Sequence, residues 1–403
     1  MDDGQAAEYL NGRKRAYVMV GARQNYFPRR RLGTLAYNID ETYAGLYDHL
    51  RSRLGGRANG GVAEGHLNYA RFGLWHYVLP GKRDVQPYQG LHRAGANLHG
   101  LMRVMLFKRL ESSVYAFLKT LERMILIHDG FLQMLDQGII PAGEDAQKIL
   151  YESDAMDEEE LIDALAGCCG KYKIEDFDAD RLRRDIAADR NLLEQMRSEV
   201  AAITPDKDAK LQVLQEKLNT DIPKASGKVL VFTQFADTAD YLYQNLNPGG
   251  ADNRIDVIYG TEKSKARVAA RFSPLSNPYI QLKSNEPEIN LLIATDVMSE
   301  GLNLQDGDVI VNYDLHWNPV RLIQRFGRID RIGTENDEVW GFNFLPERQL
   351  DQNLGLTVTL RARIQEIHDT IGEDAAILDQ EERINEEAMF AIYENRDGQM
   401  LLA

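Results

Sequence analysis

Cysteine is almost missing from this chain of 403 residues: Cys168 and Cys169 are its whole complement, and they are neighbours. Adjacent cysteines rarely bridge each other and a metal site needs further ligands close by, so the pair reads as reduced and structural. The eight histidines show no metal-ligand spacing, and no metal site is expected. No apolar run approaches the ~20 residues that span a bilayer, and Met1-Asp2-Asp3-Gly4 is no start for a signal peptide. These absences predict a soluble cytoplasmic protein with no membrane partner. Internal repeats and low-complexity tracts are also lacking. So are a Gly-x-x-x-x-Gly-Lys-Ser/Thr loop to cradle phosphates and an Asp-Glu-x-His run to hold magnesium and orient water.

What is present is ordinary core material and unevenly placed charge. A hydrophobic content of 44% over this length predicts two or three domains with cores of normal size. A net charge of −15 argues against a chain that grips nucleic acid over its whole surface. Basic residues cluster near the start at Arg13, Lys14, Arg15, Arg29, Arg30 and Arg31, and an acidic run occupies residues 152–163. A local basic track and backbone donors suffice to follow a phosphate strand. The acidic run reads as a solvated face, or else as a competitor for that track.

Along the chain, residues 1–40 read as a short strand-bearing segment, and Gly55-Gly56 and Gly60-Gly61 mark a loop. From Met102 to Leu135 the pattern is helical, with Leu106, Leu110, Val114, Phe117, Leu121 and Ile125 recurring every three or four residues as packing positions. A second amphipathic stretch opens at Asp180, and Thr204-Pro205-Asp206 breaks it. Strands then alternate with helices: strand 228–233, helix 236–246, strand 254–259, helix 262–272, strands 290–294 and 308–313, helix 319–330 and strand 338–345. Residues 273–289, with Pro274, Pro278 and Pro287, read as a loop. Alternation at this spacing predicts an α/β fold, a parallel sheet with helices on both faces, preceded by a mostly α-helical region.

The chemistry concentrates near the end of that alternation. The apolar strand Asn290–Ala294 leads into Thr295-Asp296 and on to Glu300-Gly301, where polar groups at a strand's carboxyl end suit ligand binding. Thr295 can offer a hydroxyl to a phosphate, and Gly301 lets main chain approach a nucleotide. Downstream, Asn318-Pro319 reads as a helix start, and Gln324, Arg328 and Arg331 then fall on one helical face. Two guanidiniums on one face suit a triphosphate; the other reading is a solvated basic helix end.

Together these segments resemble the second motor lobe of superfamily-2 helicases and translocases. Ala294-Thr295-Asp296 through Leu304 resembles their motif V, Gln324 through Arg331 their motif VI, and Lys228 through Phe235 their motif IV. Tyr313 through Pro319 and the ending Arg331-Ile332-Gly333 are closest to the Swi/Snf-like branch, which includes chromatin remodellers, a bacterial RNA-polymerase-associated ATPase and phage-defence helicases. The resemblance is specific over residues 205–346.

It implies a RecA-like lobe in which Arg328 and Arg331 act as arginine fingers. Gln324, Glu300 and Gly301 lie beside ATP, and Thr233, Gln234 and Thr295 contact nucleic acid, with double-stranded DNA the first choice of track. Because the phosphate loop and acidic pair are absent, residues 1–40 are expected to be the exit of a first RecA-like lobe supplied in cis or in trans, which would also hold most of the Mg coordination. Residues 41–204 are then a helical insertion, 205–346 the helicase lobe and 347–403 a helical extension. Expected partners are that lobe, DNA and a protein such as RNA polymerase or a defence-system subunit. The alternative is a docking adaptor without catalysis. The cytoplasm of a bacterium, or a phage-associated setting, is the expected context.

Overall fold

The computed structural model describes residues 6–10, 13–20, 23–26, 28–54, 65–91, 102, 105–141, 171–220, 222, 227–259, 265–296, 302–315, 319–331, 334 and 336–346. The acidic run at 152–163, Cys168, Cys169, Glu300, Gly301, Trp317, Asn318 and the segment 347–403 lie outside them. The chain divides into two compact units, one made of Met1–Ile39 with Ala209–Ala403 and the other of Asp40–Asp208. In the first unit, β1 (Ala6–Leu10), β2 (Arg13–Val20) and β3 (Arg23–Tyr26) form an antiparallel meander. Next comes β4 (Arg29–Tyr37), which joins a different sheet.

The unit Asp40–Asp208 is mainly helical. Its chief helices are α1 (Leu46–Arg53), α2 (Val114–Asp136) and α3 (Ala179–Val200), with a small antiparallel pair of β5 (Ile139–Pro141) and β6 (Lys171–Lys173). The periodic residues Leu106, Leu110, Val114, Phe117, Leu121 and Ile125 are all buried. They do not share one helix, however. Residues 105–112 are helical, and Ser113 then takes an extended conformation and accepts a hydrogen bond from the Ala116 N–H at 3.0 Å, capping α2. A serine that caps breaks a helix that hydrophobic periodicity alone would continue. Asp178 caps α3 in the same way, and Arg190 on α3 pairs with Asp129 on α2 at 2.9 Å.

The remaining elements build a six-stranded, all-parallel sheet in the order β4-β11-β10-β7-β9-β8. After α4 (Ala209–Asn219) come β7 (Val229–Thr233), α5 (Ala236–Leu246), β8 (Ile255–Ile258), α6 (Lys265–Phe272), β9 (Leu291–Thr295), β10 (Val309–Asn312), α7 (Pro319–Phe326) and β11 (Glu338–Pro346). Every residue of β7 and β10 is buried. Alternate residues serve opposite faces: Leu230, Phe232, Leu292, Ala294 and Ile310 enter one core with Phe272, Phe326 and Ile329. Val229, Val231, Ile293, Val309 and Val311, which are also buried, belong to the other face. This is the expected RecA-like arrangement, with helices covering a parallel sheet.

Residues 29–37, read above as the exit of another lobe, form β4, which pairs with β11 along its whole length. Residues 273–289 are a loop as expected, and the Asp306 carboxylate pins it by accepting from the Leu275 and Ser276 N–H groups at 2.7 and 3.1 Å.

Candidate functional site

Strand order puts the chemistry at one edge. From β7 the chain runs through α5 to β8 on one side, whereas from β10 it runs through α7 to β11 on the other. Connections that diverge from neighbouring parallel strands open a crevice at their carboxyl ends, where ligands bind in sheets of this kind. Thr233 ends β7, Thr295 ends β9 and Asn312 ends β10.

A buried polar network holds these strand tips together. Asp314, just beyond β10, accepts from Lys210 Nζ at 2.9 Å, from Thr233 Oγ1 at 2.5 Å and from the Gln234 N–H at 3.2 Å. The Lys210 ammonium also lies 4.2 Å from the centre of the Tyr313 ring and 5.2 Å from that of Tyr37. A lysine and an aspartate buried together must share hydrogen bonds of this quality to repay their desolvation. The Gln234 side chain donates to the Leu315 carbonyl at 2.7 Å.

Arg325 is the second hub. Its side chain is fully buried, and its fork donates Nε and Nη2 to the two carboxylate oxygens of Asp296, both at 2.5 Å. Nη1 donates to Asn312 Oδ1 at 3.1 Å and to the Asp314 carbonyl at 2.9 Å, and Asn312 in turn donates to Asn343 Oδ1 at 2.9 Å. One guanidinium thereby ties α7 to the tips of β9 and β10, and Asn312 extends the network to Asn343 within β11. Sequence reasoning passed over Arg325 because Arg328 and Arg331 flank the same motif. The available signal was its place one residue after Gln324, on the inward side of an amphipathic helix.

The geometry around Arg328 and Arg331 differs from the expectation of one helical face. Regular helix stops at Phe326, and Gly327 opens a run of turns closed by bonds from the Arg328 N–H to Arg325 O and from the Ile329 N–H to Phe326 O. Gly327 does not take a positive φ, so this is no left-handed glycine cap; the helix instead tightens into i→i+3 turns. Gln324 therefore sits on α7, and Arg328 and Arg331 sit on the turn beyond it, all three partly exposed. Arg331 is oriented by two donations, Nε to the Gly327 carbonyl at 3.0 Å and Nη1 to Asn303 Oδ1 at 2.7 Å. Gln324 Oε1 is buried and accepts no hydrogen bond among the described residues.

For the nucleic-acid candidates the structure gives a correction. Thr233 is fully buried with its hydroxyl committed to Asp314, and Thr295 is buried beside it in the β7–β9 pairing. Neither hydroxyl stands at the surface for a phosphate. They shape the strand tips from which the following loops leave, and Gln234 alone of the three is partly exposed. Sequence reading had placed them at the tips correctly, but could not see that Asp314 would claim Thr233.

Residues 209–333 match the family model of the helicase conserved C-terminal domain. This segment is similar to the C-terminal domain of ATP-dependent helicases, and its parallel sheet covered by helices has the form expected of a RecA-like lobe. Among its relatives, the uncharacterized ATP-dependent helicase YqhH of Bacillus subtilis (strain 168) is 32% identical over 133 residues, which cover 33% of this chain and 21% of that protein. The ATP-dependent DNA helicase mph1 of Sclerotinia sclerotiorum is 32% identical over 114 residues, or 28% of this chain and 9% of that one. The ISWI chromatin-remodeling complex ATPase CHR11 of Arabidopsis thaliana is 29% identical over 143 residues, or 35% and 12%. The match to this chain thus spans about a fifth or less of the length of these relatives. Among solved structures, the C-terminal part of the Fun30 ATPase domain aligns with a TM-score of 0.38 at 14% identity, covering 91% of this chain and 99% of that one.

Proposed function

We propose that this chain supplies the second lobe of an ATP-dependent DNA translocase of the Swi/Snf-like type, with Arg328 and Arg331 facing ATP bound on a first RecA-like lobe provided in cis or in trans. The observation that carries the reading is the fastening of the arginine turn to the sheet's carboxyl edge. Arg325 locks α7 to Asp296 at the tip of β9, and Arg331 is steered by Asn303 from the segment that follows. Arg331, partly exposed and fixed this way, can meet a phosphate with little reorganisation.

The residues present fit the nucleotide in part. Two partly exposed arginines offer donors, while Gln324 Oε1 is buried away from the surface; among the described residues no group of three or more His, Cys, Asp or Glu converges as a metal site. By the resemblance to two-lobed motors, magnesium is assigned to the first lobe with the phosphate loop. When bound there, ATP with magnesium supplies the phosphoryl group; Arg328 and Arg331 offset the charge that develops as it transfers to water. Opening and closing of the two lobes would convert turnover into steps along the duplex. Duplex DNA as track rests on the Swi/Snf-like run from Tyr313 to Pro319 and on likeness to proteins named as DNA helicase and chromatin-remodeling ATPase.

The test is hydrolysis by the full chain mixed with its first lobe, with and without duplex DNA. Stimulated turnover is expected only in the mixture, and Arg328→Ala or Arg331→Ala should lower it by about 10³–10⁵, the usual worth of an arginine finger. Near-normal turnover in either variant would remove that arginine from the catalytic machinery. DNA binding without turnover in the mixture would favour a docking adaptor instead.

A further inference from the structure

The turn that carries Arg328 and Arg331 is gripped from an unexpected direction. Arg30, on edge strand β4, directs Nε to Asp330 Oδ2 at 2.5 Å, across a separation of 300 residues in sequence. Asp330 stands between the two arginines, and its side chain is only 4% exposed, whereas that of Arg30 is 36% exposed. The Arg30 guanidinium also lies 6.0 Å from the centre of the Phe326 ring, the last residue of α7. Phe326 lies against β11 at Gly341, and Leu32 of β4 packs against the same core cluster, so the floor of the turn and the Arg30 cation come from the same strand pair.

We propose that Arg30 is a positioning residue for the arginine turn, acting through Asp330 to hold Arg328 and Arg331 where a triphosphate would meet them. Its consequence for turnover rests on the function proposed above; the ordering of the turn does not. A carboxylate this buried requires charge-assisted hydrogen bonds, and a cation brought from another strand fixes the turn that carries it. Arg30 supplies such a cation from outside the turn, while Arg331 is held separately by the Gly327 carbonyl and Asn303. The neighbouring Arg31 makes a different pair, Nη2 to Glu338 Oε1 at 2.8 Å within the strand pair, and serves as the internal control.

Hydrogen exchange of the full chain, read by mass spectrometry over residues 327–331, tests the ordering. Arg30→Ala should speed exchange there about tenfold, the lower end of what a charge-assisted hydrogen bond contributes because Arg30 is partly exposed. Arg31→Ala should leave those amides unchanged, and the exchanged pair Arg30→Asp with Asp330→Arg should restore protection relative to either single change. Unchanged exchange in Arg30→Ala, equal loosening by Arg31→Ala, or no recovery in the exchanged pair would overturn the assignment. In the ATP-hydrolysing mixture, Arg30→Ala should lower kcat with little change in KM. If Arg328→Ala and Arg331→Ala leave turnover intact while Arg30→Ala still loosens the turn, the proposed function fails and the positioning role stands.

Discussion

Arg325→Ala tests how the lobe is held together at its functional edge. The substitution removes a fully buried fork and takes a bidentate partner from the Asp296 carboxylate, whose side chain is 15% exposed, and one donor each from Asn312 Oδ1 and the Asp314 carbonyl. It also takes the guanidinium from its place 5.2 Å from the centre of the Phe232 ring in the core. Removing one partner of a buried pair costs about 3–5 kcal/mol, because the remaining charge loses most of its compensation. Total stabilities run about 5–15 kcal/mol, so the loss is a large share of what the lobe possesses. The assay should read this unit separately from Asp40–Asp208. Exchange of the β7 amides, buried at the centre of the sheet, is suitable, and it should accelerate by about 10²–10⁴. Arg325→Lys should recover only part, since an ammonium cannot fill both oxygens of Asp296 at once. A combined Arg325→Met and Asp296→Leu variant should exchange more slowly than Arg325→Ala, because no buried charge is then stranded. If Arg325→Ala left the β7 amides within threefold of the parent chain, the network would be ornament and the reasoning about a pinned helix would be wrong.

Two further outcomes follow from the packing and the buried charges. A Cβ at Gly341 would meet Phe326 Cε2 at 2.2 Å and Leu32 Cδ2 at 3.1 Å, so Gly341→Ala should destabilise the lobe by about 1–3 kcal/mol in urea unfolding, with Phe326→Leu relieving part of the loss. In the helical unit, burial pushes the Asp189 carboxyl up to about 6, although it accepts from the Asn68 and Ala70 N–H groups. Since the folded value lies above the unfolded one, this group's contribution is complete below about pH 4 and is lost as pH rises through 6. The change is worth roughly 3 kcal/mol, and Asp189→Asn should remove that slope from thermal melts of the full chain between pH 4 and 7, whatever it does to absolute stability.

Much of the lobe was legible from the order of residues alone. The runs Val229–Thr233, Leu291–Thr295 and Val309–Asn312 are apolar at every position but the last, as a sheet covered on both faces requires, and the observed strands agree to within a residue or two. What escaped was long-range pairing. Arg29, Arg30 and Arg31 read as a basic cluster, because nothing local shows that Glu338 and Asp330 wait for two of them some 300 residues later. Thr233 read as a surface hydroxyl for a similar reason: its partner Asp314 is 81 residues away. The end of α7 failed differently. Arg328 and Arg331 keep helical spacing in sequence, but the regular helix ends at Phe326 and tightens into turns before either is reached. Spacing describes a face only where the helix persists.

The pairing of β4 with β11 also has a consequence during synthesis. The two strands leave the ribosome about 300 residues apart, which at ~5–20 residues per second is a delay of roughly 15–60 s. Throughout that interval the first strand of the sheet has no final neighbour. Its opening triplet Arg29-Arg30-Arg31 gives it like charges that repel another copy of itself, the means by which exposed strand edges resist self-association. The same arginines that later find Asp330 and Glu338 thus serve first as gatekeepers for a nascent chain.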